Sequence, residues 1–244
     1  MQPIEEPTLT ANLLADRYQR LSGRLRAAAE QAGRDPEGFR VVAITKGFDV
    51  SVVRLAWQAG LVRFGENRIQ EALPKVAALP DAEWHLVGRL QANKVRAAVR
   101  SFAMIHSVDS LDLLHRLDRI AGEEARRPPV LLQVNLSGEP TKAGFDRTRF
   151  AAELARSGPL LAALADLGAA QLTGLMTIGR EGAPIAEARD LFSHLRKLRD
   201  ALQQCIGRAL PELSMGMSGD AEAAVAEGAT LVRIGTAIFG PRPG

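Results

Sequence analysis

Arg40-Val41-Val42-Ala43-Ile44-Thr45-Lys46 is a β-branched, apolar run that ends on a polar residue and a lysine, with Gly47 just beyond. A continuous run this short and this rich in Val and Ile predicts a strand buried on both faces, as in a parallel sheet covered by helices. Lys46 then stands where the chain leaves the sheet, the end at which barrels and open α/β sheets bind ligands. On this evidence its amine reads either as a nucleophile or as an ordinary loop lysine.

The same pattern repeats outward from this stretch. Thr10 is suited to cap a helix through about Gln31, with Leu14, Tyr18, Leu21 and Leu25 at three- and four-residue spacing, ended by Gly33 and Pro36. Further strands are expected at Val62–Gly65, Trp84–Gly88, Met104–Val108, Val130–Leu136, Leu172–Ile178, Leu213–Met217 and Leu231–Ile234. Amphipathic helices are expected between them at Val52–Ala59, Ile69–Ala78, Lys94–Val99, Leu111–Ala125, Phe150–Leu167, Ile185–Cys205 and Ala221–Glu227. Eight strands alternating with helices in 244 residues predict an α/β fold, a single (β/α)8 TIM barrel with an extra N-terminal helix. An open doubly wound sheet is the alternative. No linker, low-complexity tract or repeat divides the chain, so one domain over residues 1–244 is expected, with an acidic flexible tail at 1–9.

Composition narrows the function. Hydrophobic residues make up 46% and charged residues 24%, ordinary values for a soluble globular protein. Cys205 is the single cysteine, which excludes an internal disulfide, points to a reducing compartment and is expected to be a small core residue. No signal peptide is visible, and the most apolar stretch, Leu160–Ala170, is interrupted by Asp166 and far short of a span, so a cytoplasmic protein without a membrane partner is expected. The net charge is +3, but the arginines alternate with acids, as in Leu113–Arg127, and aromatics are only 5%, so nucleic acid is not expected as a partner. HExxH, paired CxxC, GxxxxGK[ST] and GxGxxG motifs are absent, which argues against a metal site or a nucleotide enzyme. Lysine is scarce: Lys46, Lys75, Lys94, Lys142 and Lys197 stand among 31 basic residues. Because arginine can neither deprotonate nor form a Schiff base, a retained lysine is a candidate for amine chemistry.

In a barrel, the loops following the strands form the functional face. The seventh expected strand ends in Met217-Ser218-Gly219-Asp220 and the eighth in Arg233-Ile234-Gly235-Thr236, the two positions where barrels often hold phosphate. Singly, Ser218 reads as a helix N-cap, Gly235 as a turn and Arg233 as a surface charge. Together they favour a phosphate site facing Lys46. That layout suits pyridoxal 5′-phosphate (PLP), which needs an amine, phosphate donors and a partner for its pyridine nitrogen. Arg233 beside that nitrogen would disfavour its protonation and weaken the ring as an electron sink.

Ala43–Lys46 (AITK), Phe64–Asn67 (FGEN) with Gln70-Glu71, and Trp84–Lys94 (WHLVGRLQANK) resemble the YggS/PROSC family of PLP-homeostasis proteins. So do Val134–Gly144 (VNLSGEPTKAG), Gly174–Thr177 (GLMT), Leu213–Asp220 (LSMGMSGD) and Val232–Gly240 (VRIGTAIFG). The resemblance spans about Val41 to Gly240. It implies a barrel similar to the N-terminal domain of alanine racemase, with Lys46 carrying the PLP Schiff base and Arg233 at the pyridine nitrogen. It further implies that Ser218, Gly235 and Thr236 hold the phosphate and that Asn67 lies beside the cofactor. By the same resemblance the chain is expected to buffer PLP or deliver it to apo-enzymes, as a monomer or weak dimer, without robust turnover. No segment reads as the racemases' second, β-rich domain, and the sole tyrosine, Tyr18, lies in the first helix. A PLP-dependent racemase of weak or narrow activity is the alternative, and a Schiff-base enzyme acting on a sugar phosphate is a third. Lys94 and Lys142 are expected as solvent-exposed loop lysines, His85 as a core residue, His115 and His194 as helix-surface residues. His106, near a strand end, is an outside candidate to see the cofactor.

Overall fold

The structure is a computed structural model, and it describes residues 9–139, 142–156 and 158–241. The chain opens with helix α1 (Ala11–Gln31). Strands β1 (Arg40–Ile44), β2 (Arg63–Glu66), β3 (Glu83–Leu86), β4 (Met104–Val108) and β5 (Pro129–Asn135) follow, then a two-residue strand β6 (Phe145–Asp146). Strands β7 (Gln171–Met176), β8 (Glu212–Ser214) and β9 (Leu231–Ile234) complete the set. The order β4-β3-β2-β1-β9-β8-β7-β5 closes through a β4–β5 pairing, and every pairing is parallel. This is the expected eight-stranded barrel; the open sheet is excluded. The helices that cover it include α2 (Val50–Gln58), α3 (Ile69–Ala78), α4 (Val95–Ser101), α5 (Leu111–Glu123), α8 (Ile185–Ile206), α9 (Ala221–Ala226) and the short α10 (Thr236–Phe239).

The strand sequences fix what faces inward, because alternate side chains point to opposite faces. Val42, Met104, Leu131, Met176 and Leu231 form a separate apolar cluster inside the barrel, with Ile44 and Ile178 against it. The larger core lies between strands and helices and includes Phe64, Trp84, Leu114, Leu117, Phe192 and Leu213. At the end opposite the strand C-termini, ion pairs Arg40–Glu212 and Arg63–Glu83 join the first residues of four strands. Glycine lets the small barrel close: a Cβ on Gly174 would lie 1.8 Å from the Glu212 carbonyl oxygen.

Helix α1 begins as expected, with the Leu13 amide donating to Thr10 Oγ1 at 3.2 Å, and it buries Leu14, Leu21, Leu25 and Ala29. It packs on α9, α10 and α2, and Arg17 donates to the Ile238 carbonyl, so it braces the side of the barrel below the last two strand ends. The tail expected at 1–9 lies outside the described residues except for Leu9.

Three expectations need correction. The helix expected over Phe150–Leu167 is two, α6 (Arg147–Arg156) and α7 (Pro159–Ala165). A residue before proline is pushed out of the helical region, whereas proline is favoured at a helix start, so Gly158-Pro159 ends one helix and begins the next. Strand β6 was not expected; it pairs beside Val134 and Asn135 of β5. Cys205 is exposed rather than in the core, since α8 turns Leu198 and Leu202 inward instead. The helix-surface positions of His115 and His194 are as expected, both exposed.

Two glycine substitutions test this packing. Gly174→Ala is expected to lower unfolding stability by about 1–3 kcal/mol through overpacking. Gly23→Ala, in α1 with nothing within 4 Å of the new carbon, is expected to raise it by about 0.5–1 kcal/mol. Urea denaturation of both variants checks the pair; equal midpoints would contradict the close approach at Gly174.

Candidate functional site

The loops after the strands surround an open cavity of about 1060 Å³. Lys46, Asn67, Ser218, Arg233, Gly235 and Thr236 all line it, so the six residues expected from sequence meet at one place. Five of them follow a strand, Lys46 two residues beyond β1, Asn67 one beyond β2, Ser218 in the loop after β8, and Gly235 and Thr236 directly after β9, whereas Arg233 lies within β9.

Lys46 is only part-exposed, and the backbone beneath it is clamped. Thr45 is fully buried; its hydroxyl donates to Glu66 Oε1 at 2.6 Å, and its carbonyl accepts from Lys75 Nζ at 2.8 Å. Lys75 Nζ also lies 2.6 Å from Glu66 Oε1, in an ion pair nearly sealed from solvent. This triad links α3 and the residues immediately before Lys46 and Asn67, holding both strand ends in register. At Gly88 a Cβ would lie 2.2 Å from the Asn67 carbonyl oxygen, so glycine is required for the loop after β3 to pass Asn67.

Arg233 points inward from β9 and is 6% exposed. Its Nη1 donates to Ser214 Oγ at 2.7 Å and its Nη2 to the Thr177 carbonyl at 2.8 Å. Among the described residues no carboxylate lies within ion-pairing distance of it. Burial lowers its pKa to about 10, opposed by the charge of Asp220. It is therefore a buried cation held by neutral oxygens, with donors left for a cavity ligand.

Ser218 does not cap the helix after its strand, as expected from sequence; α9 starts after Asp220, and Ser218 Oγ instead accepts from the Ala237 amide at 3.3 Å. Asp220 shapes this loop by accepting from the Met217 amide at 2.6 Å. Gly219 has no atom within 4 Å of a built Cβ, and at Gly235 the nearest is 3.7 Å away. Protein packing does not demand glycine at either position, so the space their side chains would fill belongs to the cavity, where backbone amides can approach an anion. A buried donor-only guanidinium, an amine and this open glycine-bordered cradle fit a phosphorylated pyridine aldehyde.

Other lining residues were not foreseen. Lys142 is a correction: it is drawn over the cavity, its side chain 22% exposed, with Nζ 2.5 Å from Glu139 Oε1 and 3.1 Å from the Gly179 carbonyl. Gln133 and Asn135 hold its loop through the carbonyls of Ala143, Glu139 and Lys142. Pro140 and Thr141 of the same loop lie outside the described residues. Lys94 ends a 3-10 turn, part-exposed, and does not line the cavity. His85 is fully buried as expected; His106 is buried too and touches Ser214 rather than the cavity. Arg89, Asp109 and Gln133 also line the space. Among the described residues no helix is long and apolar enough to cross a membrane.

Comparison with known proteins agrees with this geometry. The chain matches the family described as "Alanine racemase, N-terminal domain" over residues 18–243. A Synechocystis protein named "Pyridoxal phosphate homeostasis protein" is 43% identical over 210 residues, covering 85% of this chain and 93% of that protein. PipY of Synechococcus elongatus has been solved without PLP (TM-score 0.80, 44% identity) and with PLP bound (0.79, 42%), each match covering 93% of this chain and 100% of that one. Alanine racemase of Bartonella henselae shares the fold alone, with a TM-score of 0.70 at 14% identity over 96% of this chain and 60% of the racemase.

The buried triad generates a pH-dependent prediction. Burial is the largest influence on Glu66 and raises its carboxyl above the usual range, while hydrogen bonds from Lys75 and Thr45 pull it back. A carboxyl with a raised folded-state pKa stabilises the fold below its unfolded pKa and loses that contribution as pH rises through the folded pKa. Lys75→Met lifts Glu66 further and leaves a buried charge unpaired, at a cost of about 3–5 kcal/mol at neutral pH. The deficit is expected to shrink on acidification. Urea unfolding of both proteins between about pH 8 and about pH 5 reads it; a pH-independent deficit would assign the loss to packing instead.

Proposed function

Because the chain belongs to the family of pyridoxal phosphate homeostasis proteins, we propose that it binds PLP through a Schiff base on Lys46, as one barrel unit, and maintains the free cofactor pool by buffering PLP or passing it to apo-enzymes. The observation that carries this reading is the pairing of two groups on one cavity: the Lys46 amine and the buried guanidinium of Arg233 with no carboxylate partner among the described residues. The name of the Synechocystis relative and the PLP-bound PipY structure support it.

The roles follow from the chemistry of each group. PLP supplies an aldehyde that condenses with an amine and a ring that can delocalise electrons. Lys46 is the amine nearest the strand end whose backbone the Thr45–Glu66–Lys75 triad fixes. Arg233 donates to the ring nitrogen and keeps its own proton, since an acid with a pKa of about 10 does not protonate a pyridine. Ser218, Gly235 and Thr236 supply hydroxyl and backbone donors for the phosphate, and Asn67 flanks the ring. No tyrosine, histidine or cysteine is among the described lining residues, and Tyr18 packs on the core from α1. This lining supports retention of the cofactor over racemisation.

The purified protein reconstituted with PLP is expected to show a visible absorption band that borohydride abolishes, leaving a pyridoxyl mass on the Lys46 peptide. Lys46→Ala is expected to lose both the band and the label while melting within a few degrees of the native chain. A label on another lysine would remove Lys46 from its role. Sustained turnover of an amino acid with the cofactor retained would overturn the homeostasis reading in favour of an enzyme.

A further inference from the structure

One line of polar side chains runs down the barrel interior away from the cavity. Arg233 Nη1 is 2.7 Å from Ser214 Oγ, and His106 Nδ1 is 2.8 Å from the same oxygen. His106 Nε2 lies 2.8 Å from His85 Nδ1, and His85 Nε2 lies 3.0 Å from Glu83 Oε1. Ser214, His106 and His85 are 0% exposed, whereas the Glu83 side chain, at the first residue of β3, is 34% exposed. The line thus joins the cavity to the opposite end of the barrel.

Its two ends have fixed polarity. A guanidinium only donates and a carboxylate only accepts. With both imidazoles neutral and carrying hydrogen on Nε2, each contact has one donor. Arg233 donates to Ser214, Ser214 to His106 Nδ1, His106 Nε2–H to His85 Nδ1, and His85 Nε2–H to Glu83. A proton added at His85 would reverse the upper links, leaving the Ser214 hydroxyl to accept twice with its hydrogen unplaced. Burial, reinforced by His85, Arg233 and Arg40, pushes His106 well below the usual range, so His106 itself stays neutral and offers one donor and one acceptor. The hydrogen bond from His85 holds the Glu83 carboxyl below its usual value, so it stays ionised. Arg63 lies 2.8 Å from its second oxygen, and Arg40 beside it is paired with Glu212.

We propose that Glu83, His85 and His106 are positioning residues for Arg233: the carboxylate at the far end of the barrel sets the polarity of the line, and Ser214 is thereby presented as the acceptor that aims the guanidinium into the cavity. The ligand half of this proposal rests on the PLP reading above, in which that guanidinium meets the ring nitrogen.

Nitrogen-15 NMR of the ligand-free protein tests the polarity directly. Both imidazoles are expected as a single neutral Nε2–H tautomer at neutral pH. In Glu83→Gln, whose amide can donate as well as accept, the single tautomer is expected to give way to a mixture. An imidazolium or an Nδ1–H form in the native protein overturns the proposal, as does an unchanged tautomer in Glu83→Gln. PLP titration tests the aim. His106→Leu, which removes the acceptor for Ser214, is expected to weaken PLP binding about tenfold, the worth of one hydrogen bond to a charged group. His106→Asn, which restores an acceptor near the Nδ1 position, is expected to recover most of that loss. Equal affinities in the Leu and Asn variants overturn the positioning role while leaving PLP binding intact. Failure of the native chain to bind PLP overturns the functional reading itself, a result distinct from any tautomer outcome.

Discussion

The buried charge of Arg233 is the constraint on which the inside of this barrel depends. It shares the interior with the apolar cluster of Val42, Met104, Leu131, Met176 and Leu231, beside which a cation is costly unless its donors are satisfied. The neighbouring strands answer with neutral oxygens, Ser214 on β8 and the Thr177 carbonyl beyond β7, and with the more distant charge of Asp220. A directly paired carboxylate would occupy donors and offset the charge that here remain for a cavity ligand bringing its own acceptor.

The second requirement is that the amine and that guanidinium face one cavity. Lys46 lies two residues beyond β1 and Arg233 within the neighbouring β9, where Val42 pairs with Arg233 and Ala43 with Ile234. Register sets the height of Arg233, but Lys46 lies beyond the end of β1 and needs further restraint. The Thr45–Glu66–Lys75 triad provides it, because Thr45 is tied through both hydroxyl and carbonyl. One Glu66 oxygen is left without a hydrogen-bond partner among the described residues, a desolvation cost consistent with the raised pKa of this carboxyl.

This explains which parts were legible in the sequence. The barrel was, because each buried parallel strand is a short Val/Ile/Leu run and each helix carries its own period; α3 and β4 agree residue for residue with expectation. The six cavity residues were, because strand ends and glycines mark the functional face whatever the register. What depends on register or loop closure was not. Nothing local says that Ser214 would meet both Arg233 and His106, more than a hundred residues apart along the chain. Lys142 looked like a surface lysine because the loop carrying it is turned inward by the carbonyl contacts of Gln133 and Asn135, which depend on tertiary placement. The Ser218 cap failed for a related reason: α10 lies close enough for its Ala237 amide to take the hydroxyl. The Gly158-Pro159 break, by contrast, was a local signal that apolar periodicity overrode.

The same arrangement bears on why such a site would hold its ligand rather than transform amino acids. Catalysis requires contacts that strengthen only in the transition state; contacts equal in ground and transition states give affinity alone. In the proposed function, Lys46, Arg233 and the phosphate cradle all engage the cofactor itself, and none of these contacts depends on an amino-acid substrate being present. In that reading Arg233, placed at the ring nitrogen, would disfavour its protonation and so weaken the electron sink that carbanion chemistry needs. Racemisation also calls for proton donors and acceptors on both faces of the ring, and the described lining offers carboxylates such as Asp109 and Asp220 but no tyrosine or histidine. Asp220 is already engaged by the Met217 amide in shaping its loop. Under the proposed function, binding energy directed at the cofactor, with its ring electronically quiet, would be the physical profile of a reservoir.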